Sequence, residues 1–222
     1  MNTRRVVLSI AAMGAIGIGA LAVPALAGAG SFSPGSPGPG GGMGPGLGMG
    51  SGYGGRMGMG AANGTGLCPA FAGAAQGTVT PAQQSTLQAM AEEEKLAGDL
   101  YREFATKYPA VVFDRIGAAE DQHLAAVRGM LDRYGLSDPT AGRPAGQFAT
   151  ASVQATYDRL LAQGLTDQTA ALAVGRQVEQ AGIASLQRAA AGLDAPDVSL
   201  VYQHLLAASQ HHLATFTAWP AR

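Results

Sequence analysis

The 222-residue chain contains a single cysteine, Cys68, and that scarcity removes whole classes of chemistry. No intramolecular disulfide can form, and no zinc or iron–sulfur centre can be built from the thiolates of one chain. A lone thiol is left with capping, cross-linking or binding a soft metal. Carboxylates and imidazoles are missing from the first 91 residues. All 15 acidic residues and all 4 histidines lie beyond that point, so any chemistry that needs them is confined to the C-terminal part. Before residue 81 the only charged side chains are Arg4, Arg5 and Arg56, in a segment dominated by Gly, Ala, Pro and Met that cannot bury a core. Subtracting those three from the 14 basic residues leaves 11 against 15 acidic ones from Pro81 onward. The folded part is therefore mildly acidic, has no basic block, and is a poor partner for nucleic acid. Nothing alternates with period two over a useful length, so no sheet is expected.

What is present divides the chain into three. Residues 1–27 have the form of a secretory signal: Arg4 and Arg5, an apolar run from Val6 to Val23, and Ala25-Leu26-Ala27 as a small-residue cleavage site. The stretch from Thr3 to Leu8 loosely resembles a twin-arginine signal, so export by the Sec or the twin-arginine route is expected, to the periplasm, envelope or exterior. Left uncleaved, the run would serve as a membrane tether. Residues 28–80 read as a flexible tether, because 18 of the 33 glycines fall between Gly28 and Gly66 with no repeated apolar face. Met43, Met49, Met57 and Met59 lie in it, and thioethers suit Cu(I). Their irregular spacing favours a merely Met-tolerant linker, and a copper-handling envelope protein stands as the alternative reading of the whole chain. Residues 81–222, about 140 in number, are the right size for one domain with its own core.

Helix signals in that domain are explicit. Thr80-Pro81-Ala82-Gln83 combines a capping residue, a proline at the first helical position and the glutamine of a capping box. The helix it opens runs to about Lys107, before Pro109. A second runs from about Val111 to Tyr134, with Gly135 placed to end it in the left-handed conformation. A Gly/Pro-rich loop to about Thr150 follows, then a short helix from about Ser152 that stops at Gly164. Long helices from about Asp167 to Ala191 and from Pro196 to about Trp219 complete the set. Four long helices with a short one in the central connection predict an all-α fold, an antiparallel four-helix bundle of two hairpins joined by a crossover.

Tracing the inward stripe of each long helix at spacings of three and four shows where it is broken. The first reads Leu87, Met90, Glu94, Ala97, Tyr101. The second reads Val112, Ile116, Glu120, His123, Val127, Met130 or Leu131, Tyr134. The fourth reads Leu172, Gly175, Glu179, Gly182 or Ile183, Leu186, and the last Val201, Leu205, Ala208 or Ser209, His212, Phe216, Trp219. His204 and His211 fall one row over. One interruption would be an ordinary hydrogen-bonded core polar, because an isolated buried carboxylate is too costly to keep ionised. Here all four long helices are interrupted by Glu or His, the side chains that jointly coordinate iron or manganese, and one bound cation would neutralise the set.

Glu120-Asp121-Gln122-His123, with Glu94 ahead of Tyr101, resembles the Glu-x-x-His motif of ferritin-like di-iron carboxylate domains. Glu92-Glu93-Glu94-Lys95-Leu96-Ala97, Asp132-Arg133-Tyr134-Gly135-Leu136 and Ser209-Gln210-His211-His212-Leu213 are more narrowly similar to the bacterial family catalogued as domain of unknown function 2202, over about residues 85–217. The resemblance implies Glu94, Glu120, His123, Glu179 and His212 as metal ligands, Tyr101 and Ser209 in the surrounding shell, iron as one or two ions with manganese as a substitute, and redox chemistry linked to oxygen or peroxide. The chain departs from the ferritin-like pattern at Ser209, which stands three residues before His212 where a second Glu-x-x-His would place its acid. Asp99 or Glu93, or a water or an oxo group, would then supply the missing charge. A peroxidase with a rubredoxin-type partner domain is disfavoured, since one cysteine cannot build its four-thiolate centre.

Overall fold

Thr80 accepts a hydrogen bond from Gln83 N while the Gln83 side chain accepts one from Thr80 N (2.8 Å), so the capping box forms and fixes the start of the first helix. In the computed structural model, which describes residues 73–220, this helix, α1, spans Pro81–Lys107. It is followed by α2 (Val111–Arg133), α3 (Ala151–Gly164), α4 (Gln168–Ala190) and α5 (Pro196–Ala218). No strand occurs among the described residues. The expected signal at residues 1–27, Cys68 and the methionine tract lie outside them.

The ends of α2 follow from local chemistry. Gly135 has φ of 64°, Leu136 N donates to Leu131 O (2.8 Å) and Gly135 N to Asp132 O (3.0 Å), the paired bonds of a Schellman stop. Gly192 ends α4 in the same left-handed conformation, φ 68°. Gly164 works differently. It is the last residue of α3, and a Cβ there would stand 2.2 Å from the Phe104 ring, so glycine is needed for close packing of α3 on α1.

Neighbouring long helices run antiparallel. Tyr101 and Glu93 of α1 pair with Glu179 and Ser185 of α4, and Glu120 and Tyr134 of α2 face His212 and Asp197 of α5. The α1–α2 and α4–α5 hairpins therefore sit side by side. The connection from α2 to α4 passes from one end of the bundle to the other, carrying α3.

Crossing that distance needs anchors, and buried charge supplies them. Glu92 accepts from Ala149 N (2.8 Å), Thr150 N (3.0 Å) and the Thr150 hydroxyl, anchoring the start of α3, where the cap residue Thr150 makes no side-chain bond to the helix backbone. Asp99 is held by Lys95 and Arg102 and accepts from Gly146 N (2.9 Å), while Lys95 also donates to Pro144 O (2.8 Å). At the opposite end, Tyr134 donates to buried Asp197 (2.7 Å) and Arg133 approaches it at 3.1 Å. Tyr134 was expected in the apolar stripe. It instead caps α2 half-buried and spends its hydroxyl on this network.

The apolar core is split. One cluster contains Tyr101, Phe104, Phe113, Leu172 and Phe216 and the other contains Leu87, Met90, Val127, Met130, Leu186 and Leu205. What separates them is a polar layer.

Candidate metal centre

That layer contains the residues that break the four stripes. Because a helix brings positions three and four apart onto one face, Glu120 and His123 of α2 project together, and each other long helix contributes from its own inward face. His123 Nδ1 lies 2.7 Å from Glu120 Oε2 and 3.6 Å from Glu94 Oε2. His212 Nδ1 lies 2.8 Å from Glu120 Oε1 and 3.8 Å from Glu179 Oε1. The two imidazoles stack with centroids 5.5 Å apart and planes 25° apart. Glu120, His123 and His212 each offer a ligand atom within 4.8 Å of the others, and all three are buried. Tyr101 closes the group by donating its hydroxyl to Glu179 Oε1 (2.7 Å).

Two atoms in this cluster have no hydrogen-bond partner. Glu120 Oε1 and His212 Nδ1 are buried, and although close they are not aligned to bond each other. Leaving such atoms unsatisfied costs about 1–3 kcal/mol each, so their persistence in the centre of a bundle calls for a further partner.

Protonation follows from burial and crowding. Burial lifts the Glu94 carboxyl to about 8, Glu120 nearby adding to the effect and His123 opposing it. Glu179 is pushed well above the usual carboxylate range, by burial first and then by Glu120. For Glu120 burial pulls upward, but the bond to His123 and the charge of His123 and His212 outweigh it and hold the group at about 2. Burial opposes protonation of His123, yet Glu120 and Glu94 together raise it to about 10. Burial and the neighbouring Glu179 drive the Tyr101 phenol upward, so it stays a donor. Without a cation, the cluster tolerates three carboxyls only by retaining protons.

All five candidate ligands thus meet in one layer, with Tyr101 bonded to one of them. Ser209 is buried on the face of α5 that carries His212. Neither proposed source of a fourth carboxylate joins the group: Asp99 is committed to Lys95, Arg102 and Gly146, and Glu93 accepts from Ser185 Oγ (3.1 Å). The two remaining histidines stand outside the layer, His204 exposed with its ring edge-on to His123 (6.0 Å) and His211 exposed beside His212 (6.3 Å). Sequence reasoning did not find the buried roles of Glu92, Lys95, Asp99 and Asp197. The run from Glu92 to Lys95 was visible, but which of its members turn inward depends on the loop after α2.

Comparison with known proteins places the domain. A family model described as an uncharacterized protein domain (DUF2202) matches residues 83–219. The uncharacterized protein MJ0754 of Methanocaldococcus jannaschii is 30% identical over 138 residues, which cover 62% of this chain and 75% of that protein. The crystal structure of hypothetical protein MJ0754 is similar with a TM-score of 0.61, covering 63% of this chain and 79% of that one.

Proposed function

The chain belongs to the family of the uncharacterized protein domain DUF2202, and we propose that in this member the domain is a ferritin-like bundle that binds iron for redox chemistry with oxygen or peroxide. The observation that carries the reading is the pair of orphaned atoms, Glu120 Oε1 and His212 Nδ1, facing each other between two apolar clusters. Mixed carboxylate and imidazole donors fit iron or manganese better than softer metals. The topology supports a ferritin-like assignment, since two antiparallel hairpins joined by one long crossover are its pattern and inward acids with Glu-x-x-His its ligand scheme.

Glu120, His123 and His212 would hold the ion, with Glu94 and Glu179 flanking it. Three carboxylates more than offset the charge of one divalent ion and fall short of the charge of two, so one tight site per chain is the stoichiometry this set favours. Iron, when bound, would supply one-electron redox chemistry. Around it the protein's own groups set the conditions. Tyr101 fixes the orientation of Glu179 through its donated bond, Phe216 and Tyr101 (centroids 5.1 Å) shield one side from water, and Glu94 and Glu179 take up or release protons as charge at the centre changes.

Anaerobic loading with Fe(II), followed by exposure to oxygen and optical spectroscopy, tests this. A new absorption band that depends on stoichiometric iron supports the reading. Full chain that takes up no iron contradicts it.

A further inference from the structure

Glu179 is flanked on α4 by two inward glycines, Gly175 and Gly182, and they are not alike. A Cβ at Gly175 would stand 3.0 Å from the Phe216 ring. On the other hairpin, a Cβ at Gly98 would meet Arg102 and Glu120 at 3.4 Å, and one at Gly117 would meet Tyr101 at 3.4 Å. The wall is closed at those three points. Gly182 lies on the same inward arc as Glu179, Ser185 and Leu186, all buried, yet among the described residues no atom apart from its chain neighbours and its own helix backbone comes within 4 Å of where its Cβ would be, and it is only half-buried. Interiors are close-packed, so an inward position that is both empty and partly open is a gap in the wall.

Register shows what surrounds it. Gly175 packs on Phe216 and Glu179 faces His212, so the next layer of α5 brings Ser209 opposite Gly182. Glu179 meets Tyr101 and Ser185 meets Glu93, so the intervening layer of α1 brings Ala97 and Glu94. Small side chains keep the gap open and its borders are acidic. Glu93, half-buried and bonded to Ser185, stands at the outer edge, with Arg188 as the cation acting on it, and Glu94 and Glu179 lie further in. At the inner end are the unpartnered Glu120 Oε1 and His212 Nδ1.

We infer that the gap at Gly182 is the passage by which a divalent cation reaches the buried ligands, with Glu93 as its outer acceptor. The inference rests on the metal-binding reading above. A cation entering a dry bundle must exchange water for protein oxygens in steps, and carboxylates spaced from rim to centre provide them.

Anaerobic uptake of Co(II) by the full chain, followed by stopped-flow absorbance with stoichiometry from metal analysis, separates entry from binding. Gly182→Leu should leave the final stoichiometry unchanged and slow loading severalfold, because its isobutyl group fills the gap. Gly182→Ala, which a helix favours, should slow it less, and Glu93→Gln should slow it without blocking the gap. Circular dichroism reports whether each variant folds. If Gly182→Leu does not fold, the two milder variants decide. Loading at the unmodified rate in the folded Gly182 variants and Glu93→Gln, or slowing by His204→Ala in their place, would overturn the passage. No Co(II) uptake by the unmodified chain would remove the metal site itself, and the passage with it, at an earlier step.

Discussion

His212 Nδ1 and Glu120 Oε1 lie 2.8 Å apart in the dry centre of the bundle without forming a hydrogen bond. Helices α5 and α2 hold them there from opposite hairpins, so neither atom can turn to a better partner without leaving the layer. The expected behaviour of the protein follows from what fills the space they share.

Removing a ligand should be far more damaging to metal uptake than removing a neighbouring histidine. Glu120→Ala or His123→Ala is expected to abolish stoichiometric iron binding measured by calorimetry, whereas His204→Ala, outside the layer, should leave the equilibrium stoichiometry intact. Equal losses in all three variants would discredit the ligand assignment.

Metal removal should lower the thermal midpoint. An ion bound only by the folded state stabilises it by about 2.7 kcal/mol at a free concentration one hundred times Kd. For a domain of this size that corresponds to a shift of several degrees. An unchanged midpoint after verified stripping with chelator would count against a resident ion.

The pH dependence should reverse between the metal-free and metal-bound states. Glu94, raised from 4.5 to about 8, contributes stability that is complete below 4.5 and disappears as pH rises through 8. His123, raised from 6.5 to about 10, contributes stability complete below 6.5 and lost as pH rises through 10. Glu120, held at about 2, contributes in the opposite sense: its share is complete above 4.5 and is lost as pH falls through 2. Metal-free protein should therefore be most stable in mildly acid solution and weaken toward alkaline pH in denaturant titrations. Binding a cation must expel the protons on Glu94, Glu179 and His123, so affinity should rise with pH and calorimetry in buffers of different ionisation enthalpy should detect net proton release at pH 7. Zero release would mean that the metal does not contact these groups.

Asp99 should prove structural. Asp99→Ala leaves Lys95 buried beside no carboxylate, and breaking a buried pair from one side costs about 3–5 kcal/mol. Chemical denaturation should register that loss, while iron stoichiometry in the folded variant stays the same. Loss of iron from a folded Asp99→Ala protein would make Asp99 a ligand after all.

Two glycines in helices should respond with opposite sign. Gly164→Ala forces a methyl to within 2.2 Å of Phe104, and overpacking of this kind costs about 1–3 kcal/mol. Gly182→Ala meets nothing within 4 Å and should gain up to about 1 kcal/mol from helix propensity. Thermal melts of the two variants check the sign.

Helix order and boundaries were legible in the sequence because their signals are local. The capping box at Thr80 and Gln83, the left-handed glycines 135 and 192, and Pro196 act within a few residues of where they stand. The inward placement of Glu94, Glu120, His123, Glu179 and His212 was legible too, since helical period alone puts them on the stripe. Tertiary structure alone decided three things: that these five side chains fall in one layer, that Glu92, Asp99 and Asp197 turn inward to anchor a loop and two helix ends, and that one of two similar glycines is sealed while the other is not. Each depends on the register between helices distant in sequence, which is set by how whole faces interlock and which no local pattern specifies.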